Sequence, residues 1–290
     1  MHRSLLFVPG DSDKKIAKSE SVPADLIIFD LEDAVAAKAR PEARLRVKEY
    51  LASARERRAS LYVRINPLST DDAEKDLAIV MDGAPDGIVL PKAQAPDDIQ
   101  RLETLLEAAE KKLGRDVGSS LILPVATETA AALFSLGEYR RVATRLAGIT
   151  WGAEDLGAAI GAMGKAGENS EWSQPFELAR SLCLFASAAA DVPAIDTLFS
   201  DFRDQEGLAA SAARARRDGY TGKLAIHPAQ VETINAAFTP SAEEIEEAQA
   251  IIALFAENPD AGALAYKGRM VDMPHLVQAK KIIAIAQKSG

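Results

Sequence analysis

DLIIFDLEDAV, residues 25–35, sets four consecutive apolar side chains (Leu26 to Phe29) between acids and then presents Asp30, Glu32 and Asp33 in quick succession. The apolar run is too short for an amphipathic helix. It also lacks the alternation of a strand with one wet face. Apolar in both directions, it reads as a parallel strand buried on both sides and ending in a charged loop.

Seven further runs share this character: SLLFVP (4–9), LYVRIN (61–66), GIVLP (87–91), SLILPVA (120–126), LAGITWG (146–152), PAIDTL (193–198) and GKLAIHP (222–228). Between them lie helical patterns such as RPEARLRVKEYLASA, APDDIQRLETLLEAAEKKL and DQEGLAASAARARRDG. Eight β-α alternations are compatible with a doubly wound open sheet but favour a closed (β/α)8 TIM barrel, which typically takes about 250 residues. The chain has 290. The expected division is a TIM barrel core over 1–238 and a C-terminal helical extension over 239–290. Ser241 and Glu244 form a capping box opening AEEIEEAQAIIALFAE, and the segment AYKGRM leads to a last helix from about Pro274 to Gln287.

The composition, 48% hydrophobic and 27% charged, is that of a globular protein with a sizeable core. A net charge of −9 argues against general nucleic-acid binding. No apolar run approaches the roughly 20 residues that span a bilayer, so no membrane association is expected. The N-terminus reads as a first strand, not as a signal peptide. The single cysteine, Cys183, excludes an internal disulfide and suits a reducing cytoplasm, with its thiol expected to be buried in a helix. With only three histidines, a His-rich zinc centre is not expected.

Carboxylates follow the strands, at the end of a barrel that carries the chemistry. Asp30, Glu32 and Asp33 follow the second, Glu128 the fifth, and Glu154 and Asp155 the sixth; Arg64 lies in the third. Taken singly, each acid is what the first turn of a helix ordinarily carries. Glu128 and Asp155 together make a hard oxygen-ligand pair suited to Mg²⁺ or Mn²⁺, with other positions left to water and substrate oxygens. A buried Arg64 requires an anionic partner. Gly152 allows close backbone approach to a ligand, Trp151 is expected to pack the barrel mouth, and His275, at a helix start, to face solvent.

The blocks RSLLFVPG, DLIIFDLEDAV, VRIN, GIVLPKAQ, TETAAALF, WGAEDLGA, KLAIHPAQV and GRMVDMPH stand in the order seen in the HpcH/HpaI aldolase family. From about residue 3 to 285 the chain most resembles its citrate lyase β-subunit-like branch, which includes malyl-CoA and citramalyl-CoA lyases. The resemblance implies a TIM barrel that uses Mg²⁺ to make or break a carbon–carbon bond between an acyl-CoA and a 2-oxo acid.

Carried over by motif, Glu128 and Asp155 are the implied metal ligands, and Arg64 faces the 2-oxo acid and the developing enolate. Glu32 and Asp33 orient water on the metal or stand behind its ligands. Backbone N–H groups around Gly152, Ala153 and Glu154 receive the substrate carboxylate. Coenzyme A is expected along the first βα loop and the segment after strand eight, where Arg3, Lys14, Lys15, Lys18 and His227 are the matching residues. Asp272, in the pattern G-x-M-[IV]-D-x-P, is the implied proton-transfer acid. In the family it reaches a neighbouring subunit's site within a trimer or hexamer.

Three other readings compete: a citrate lyase β subunit acting on an acyl carrier protein, a CoA-independent pyruvate aldolase, and a non-catalytic binding barrel. No histidine falls in the first loop, where such aldolases carry their base. Lys92 matches the residue type of Schiff-base barrel aldolases, but its position in the resembled family is not a covalent nucleophile.

Overall fold

The computed structural model describes residues 2–53, 57–165 and 172–289. Eight parallel strands, β1 Ser4–Pro9, β2 Leu26–Asp30, β3 Ser60–Arg64, β4 Gly87–Leu90, β5 Leu121–Pro124, β6 Ile149–Thr150, β7 Ala194–Asp196 and β8 Gly222–Ala225, run in the order β5-β4-β3-β2-β1-β8-β7-β6. The two ends of that order meet through the bridges Ile122↔Leu146 and Val125↔Thr150, where the Ala126 N–H donates to the Thr150 carbonyl at 2.9 Å. The sheet curls into a barrel joined across this one narrow seam, which excludes the open-sheet alternative.

Around it pack α1 Asp13–Ser19, α2 Arg40–Ser53, α3 Asp71–Val80, α4 Pro96–Lys112, α5 Ala153–Ala159, α6 Gln174–Ala189, α7 Gln205–Asp218 and α8 Val231–Phe238. Between β5 and β6 the α-helix is replaced by 3₁₀ turns at Ala132–Phe134 and Leu136–Arg145.

Strand periodicity sorts side chains into two layers. In β2, Leu26 and Ile28 join Leu5, Tyr62, Val89, Leu123, Val125, Ile195 and Leu224 inside the barrel, while Ile27 and Phe29 face the helices. Asp30 and Arg64 continue the inward parity of Ile28 and Tyr62, and the two are register partners in adjacent strands. The ring of Tyr62 fills space that only a glycine concedes: a Cβ on Gly87 would lie 2.4 Å from it.

In the outer layer, buried Lys223 pairs with Asp196 at 2.6 Å. Asp196 also accepts from the indole N–H of Trp151 at 2.8 Å. Trp151 is thus fully buried between strand and helix layers rather than lining the mouth. Cys183 is buried in α6, as expected.

Beyond α8, α9 Ala242–Glu257 and α10 Met273–Ser289 close over their own cluster of Ala248, Ile251, Phe255, Val271, Leu276 and Ala279. This extension is not purely helical. A hairpin, β9 Ala263–Tyr266 and β10 Arg269–Asp272, turns through Lys267 and Gly268, whose φ values of 47° and 76° suit a two-residue turn of the primed type. No helix among the described residues is long and apolar enough to cross a membrane.

Candidate active site

At the C-terminal ends of β2 to β6 the structure gathers Asp30, Glu32, Asp33, Glu128 and Asp155 around two cations, Arg64 and Lys92. Asp30 holds Arg64 in a two-point grip, accepting from Nε at 2.7 Å and Nη2 at 2.6 Å. It is itself fixed by the backbone N–H groups of Glu32 and Ala34, at 2.9 and 3.1 Å. The ring of Phe7 lies 4.7 Å below the guanidinium carbon. Burial works against the charge on Arg64, but the Asp30 pair outweighs it and holds the group above the ordinary arginine range. The remaining Nη1 lies 3.2 Å from Glu32 and 3.8 Å from Asp33.

Glu32 is buried, and its Oε2 has no aligned hydrogen bond despite the 3.2 Å approach of Arg64. The contact is therefore a charge contact with a lone pair left over. Burial raises the Glu32 pKa, with Arg64 and Lys92 pulling the other way. Asp33 is exposed and, among the described residues, touches the site only through Arg64.

Glu128 is 5% exposed. Its Oε2 accepts from the backbone N–H of Lys92 at 2.5 Å. Burial, aided by repulsion from Glu32 and Asp155, pushes its carboxyl up to about 8. Gly152 makes room for it, since an added Cβ would lie 2.8 Å from Glu128 Cγ. The close approach that requires this glycine is therefore to a side chain of the protein. The Gly152 N–H donates to Thr127 Oγ1 at 3.1 Å, so it is already bonded, whereas Ala153 and Glu154 open α5. The Glu154 carboxylate turns away to Lys165.

Lys92 has a left-handed backbone, φ 52°. Its ammonium lies 2.6 Å from Glu32 and 3.3 Å from Asp155. Burial opposes this charge, but Glu32 and the surrounding acids raise its pKa, which favours the ammonium over the free amine that Schiff-base chemistry needs.

No group of three or more His, Cys, Asp or Glu side chains converges into a complete metal cage among the described residues. The donor set nevertheless fits a hard divalent ion. Glu128 and Asp155 offer oxygens, Glu32 Oε2 lacks a hydrogen bond, and two cations face five carboxylates.

The other expected residues separate. Lys14, Lys15 and Lys18 stand exposed on α1, just past β1. His227 follows β8, accepts the Ala229 N–H at 3.2 Å and stacks on Phe202 with 4.4 Å between ring centroids. Arg3 does not join them. It precedes β1, at the opposite end of the barrel, where its guanidinium is held by Asp25 (2.8 and 2.9 Å) and Thr239 (3.0 Å). Asp272, about a third exposed at the end of β10, shares no hydrogen bond or ion pair with the barrel-mouth acids. Its partner is His275 Nδ1, 2.5 Å from Oδ1. His275 is therefore not simply solvated.

Sequence reasoning gave roles to neither Asp30 nor Lys92 in this cluster. Asp30 was recoverable from register, because it lies opposite Arg64 on the same face of neighbouring strands.

Fold and site together define a barrel enzyme with an acidic, cation-braced mouth. Residues 3–228 match the HpcH/HpaI aldolase/citrate lyase family, and residues 177–290 match the C-C bond lyases of the TIM-barrel fold. The citrate lyase subunit beta of Haemophilus influenzae is 33% identical, covering 100% of this chain and 98% of its own. The mitochondrial citramalyl-CoA lyase of Rattus norvegicus is 33% identical over 98% of this chain and 86% of its own. Among solved structures, CitE of Mycobacterium tuberculosis in complex with magnesium, acetoacetate and coenzyme A superposes with a TM-score of 0.78 at 30% identity, covering 98% of both chains. The chain belongs to the HpcH/HpaI aldolase/citrate lyase family and is a carbon–carbon lyase.

Proposed function

We propose that the protein cleaves or forms a 3-hydroxyacyl-CoA of the malyl-CoA or citramalyl-CoA type, interconverting it with an acyl-CoA and a 2-oxo acid. The observation that carries this reading is buried Glu128, seated against Gly152 and sharing Lys92 with Glu32 and Asp155, while the Asp30-clamped Arg64 meets the same Glu32.

Glu128 and Asp155 would hold Mg²⁺, or Mn²⁺ in its place. When bound, the ion supplies Lewis acidity and a template for the carboxylate and carbonyl oxygens of the 2-oxo acid. Arg64 then presents fixed positive charge where a thioester enolate develops, already oriented by Asp30 and Phe7. The N–H groups of Ala153 and Glu154, and that of Gly152 on release from Thr127, receive the substrate carboxylate. Glu32 and Asp33 hold Arg64, Lys92 and nearby water in place. Asp272 returns or removes the proton at the α-carbon of the acyl-CoA.

Coenzyme A would lie along Lys14, Lys15 and Lys18 of α1, which follows β1, and His227, which follows β8. Because Asp272 stands apart from these acids within one chain, we place it in a neighbour's site within a homotrimer or hexamer. Large apolar side chains left in solvent support such an assembly: Phe134 (94% exposed) and Met163 (104%) on the barrel, Met270 (66%) on the hairpin. Buried, unpaired Cys183 is in keeping with the cytoplasm.

A second reading, supported by the full-length likeness to a citrate lyase subunit beta, replaces coenzyme A with an acyl carrier protein. One assay separates the two. Purified protein with Mg²⁺, acetyl-CoA or propionyl-CoA, and glyoxylate, pyruvate or oxaloacetate should turn over at least one pair. No CoA-ester turnover in either direction would sink the first reading.

A further inference from the structure

Among the described residues, Lys92 alone touches Glu32, Glu128 and Asp155 together: Glu128 by its backbone N–H at 2.5 Å, Glu32 and Asp155 by its ammonium at 2.6 and 3.3 Å. To do so it keeps a left-handed backbone, φ 52°, which a residue with a Cβ adopts only when its surroundings impose it. The two ammonium contacts are unequal. Glu32 is enclosed and close, whereas Asp155 is farther away and a third exposed, so the second contact is the cheaper to break.

We propose that Lys92 is the resident counter-cation of this site. Without metal, its ammonium stands between Glu32 and Asp155 and neutralises them; a divalent ion entering between Glu128 and Asp155 takes Asp155 away from it. This rests on the metal reading above but goes beyond it, because it assigns the metal-free protein a defined charge state and a built-in competitor. An incoming monovalent ion gains little by displacing an equal charge already in place. A divalent ion gains twice the attraction to the same oxygens. Lys92 thereby also favours divalent over monovalent cations, and its grip on Glu32 persists through the exchange.

The test is Mn²⁺ titration of the EDTA-stripped full chain, following free Mn²⁺ by electron paramagnetic resonance and recording Tm with and without metal. Lys92→Met should bind Mn²⁺ about tenfold more tightly than the wild type. Its metal-free Tm should fall, and saturating Mn²⁺ should restore it. Lys92→Arg, which keeps the charge, should stay within about twofold of the wild-type affinity. Equal or weaker binding by Lys92→Met would overturn the counter-cation role, as would Lys92→Arg binding as tightly as Lys92→Met. If Lys92→Met does not fold, Lys92→Gln decides by the same criterion. A wild type that takes up no Mn²⁺ brings down the metal reading and this proposal together. A wild type that binds, with no gain on removing the charge, brings down only this one.

Discussion

Glu128→Gln isolates what the metal-free protein forfeits by keeping a carboxylate at this position. The exchange preserves shape, including an oxygen for the Lys92 N–H, and removes only the titrating charge. Burial first, then Glu32 and Asp155, lift the carboxyl from 4.5 to about 8. At 1.36 kcal/mol per pH unit, the shift sets a ceiling of about 5 kcal/mol for the cost of ionising it in the folded state. Interior sites respond with an effective dielectric constant near 20, so about 2 kcal/mol is the working figure.

The sign follows from proton linkage. Between pH 4.5 and about 8 the folded chain holds a proton that the unfolded chain has lost. Stability from this group is therefore complete below pH 4.5 and disappears as pH rises through 8. In EDTA, wild type and Glu128→Gln should melt together near pH 4, where the carboxyl is protonated in both states, and the gap should open as pH rises. At pH 9 the variant should melt higher by roughly 4–8 °C, taking 2–4 °C per kcal/mol for a chain of this size. Mg²⁺ should raise the wild-type Tm at pH 9 and leave the variant unmoved. Differential scanning fluorimetry at the two pH values suffices. A Tm gap independent of pH, or a less stable variant at pH 9, would refute the reasoning.

Two further substitutions probe the surroundings. Gly152→Ala forces a methyl to within 2.8 Å of Glu128 Cγ and should cost about 1–3 kcal/mol by overpacking, read from denaturant melts, while weakening Mn²⁺ binding. Asp272→Asn should lose about 100-fold or more in condensation rate while Tm and Mn²⁺ affinity stay at wild-type values, because the residue is about a third exposed and shares no hydrogen bond or ion pair with the acids of its own barrel. Loss of metal from Asp272→Asn would mean that the roles are misassigned.

Eight strands were legible because each is an apolar run too short to be anything else, and β1 Ser4–Pro9 matches its expected span. Later strands are shorter than expected. The run 146–152 contributes only Ile149–Thr150 to the ladder, since Trp151 and Gly152 already belong to the loop. Local apolarity marks burial but not where the hydrogen-bonded ladder stops. The hairpin was missed because AYKGRM carries a turn signal between two short strands that find their core only against α9 and α10. In the site, the acids were visible as residues after strands. The positions of Lys92 and Arg3 were not, because sequence order conceals side-chain direction and barrel end. Lys92 reaches sideways across three loops, whereas Arg3, read as part of the first loop, lies at the far end in the grip of Asp25.

The seam between β5 and β6 is the thinnest part of the barrel wall, held by two isolated bridges and served by the shortest strand. Glu128 leaves the wall on one side of that joint and Asp155 on the other. On the metal reading proposed above, an ion held by both would act as a rivet across it and would tie occupancy to wall closure. The N–H groups of Ala126 and Ala147, which cross the seam to Thr150 and Ile122, should then exchange more slowly with metal bound than without it.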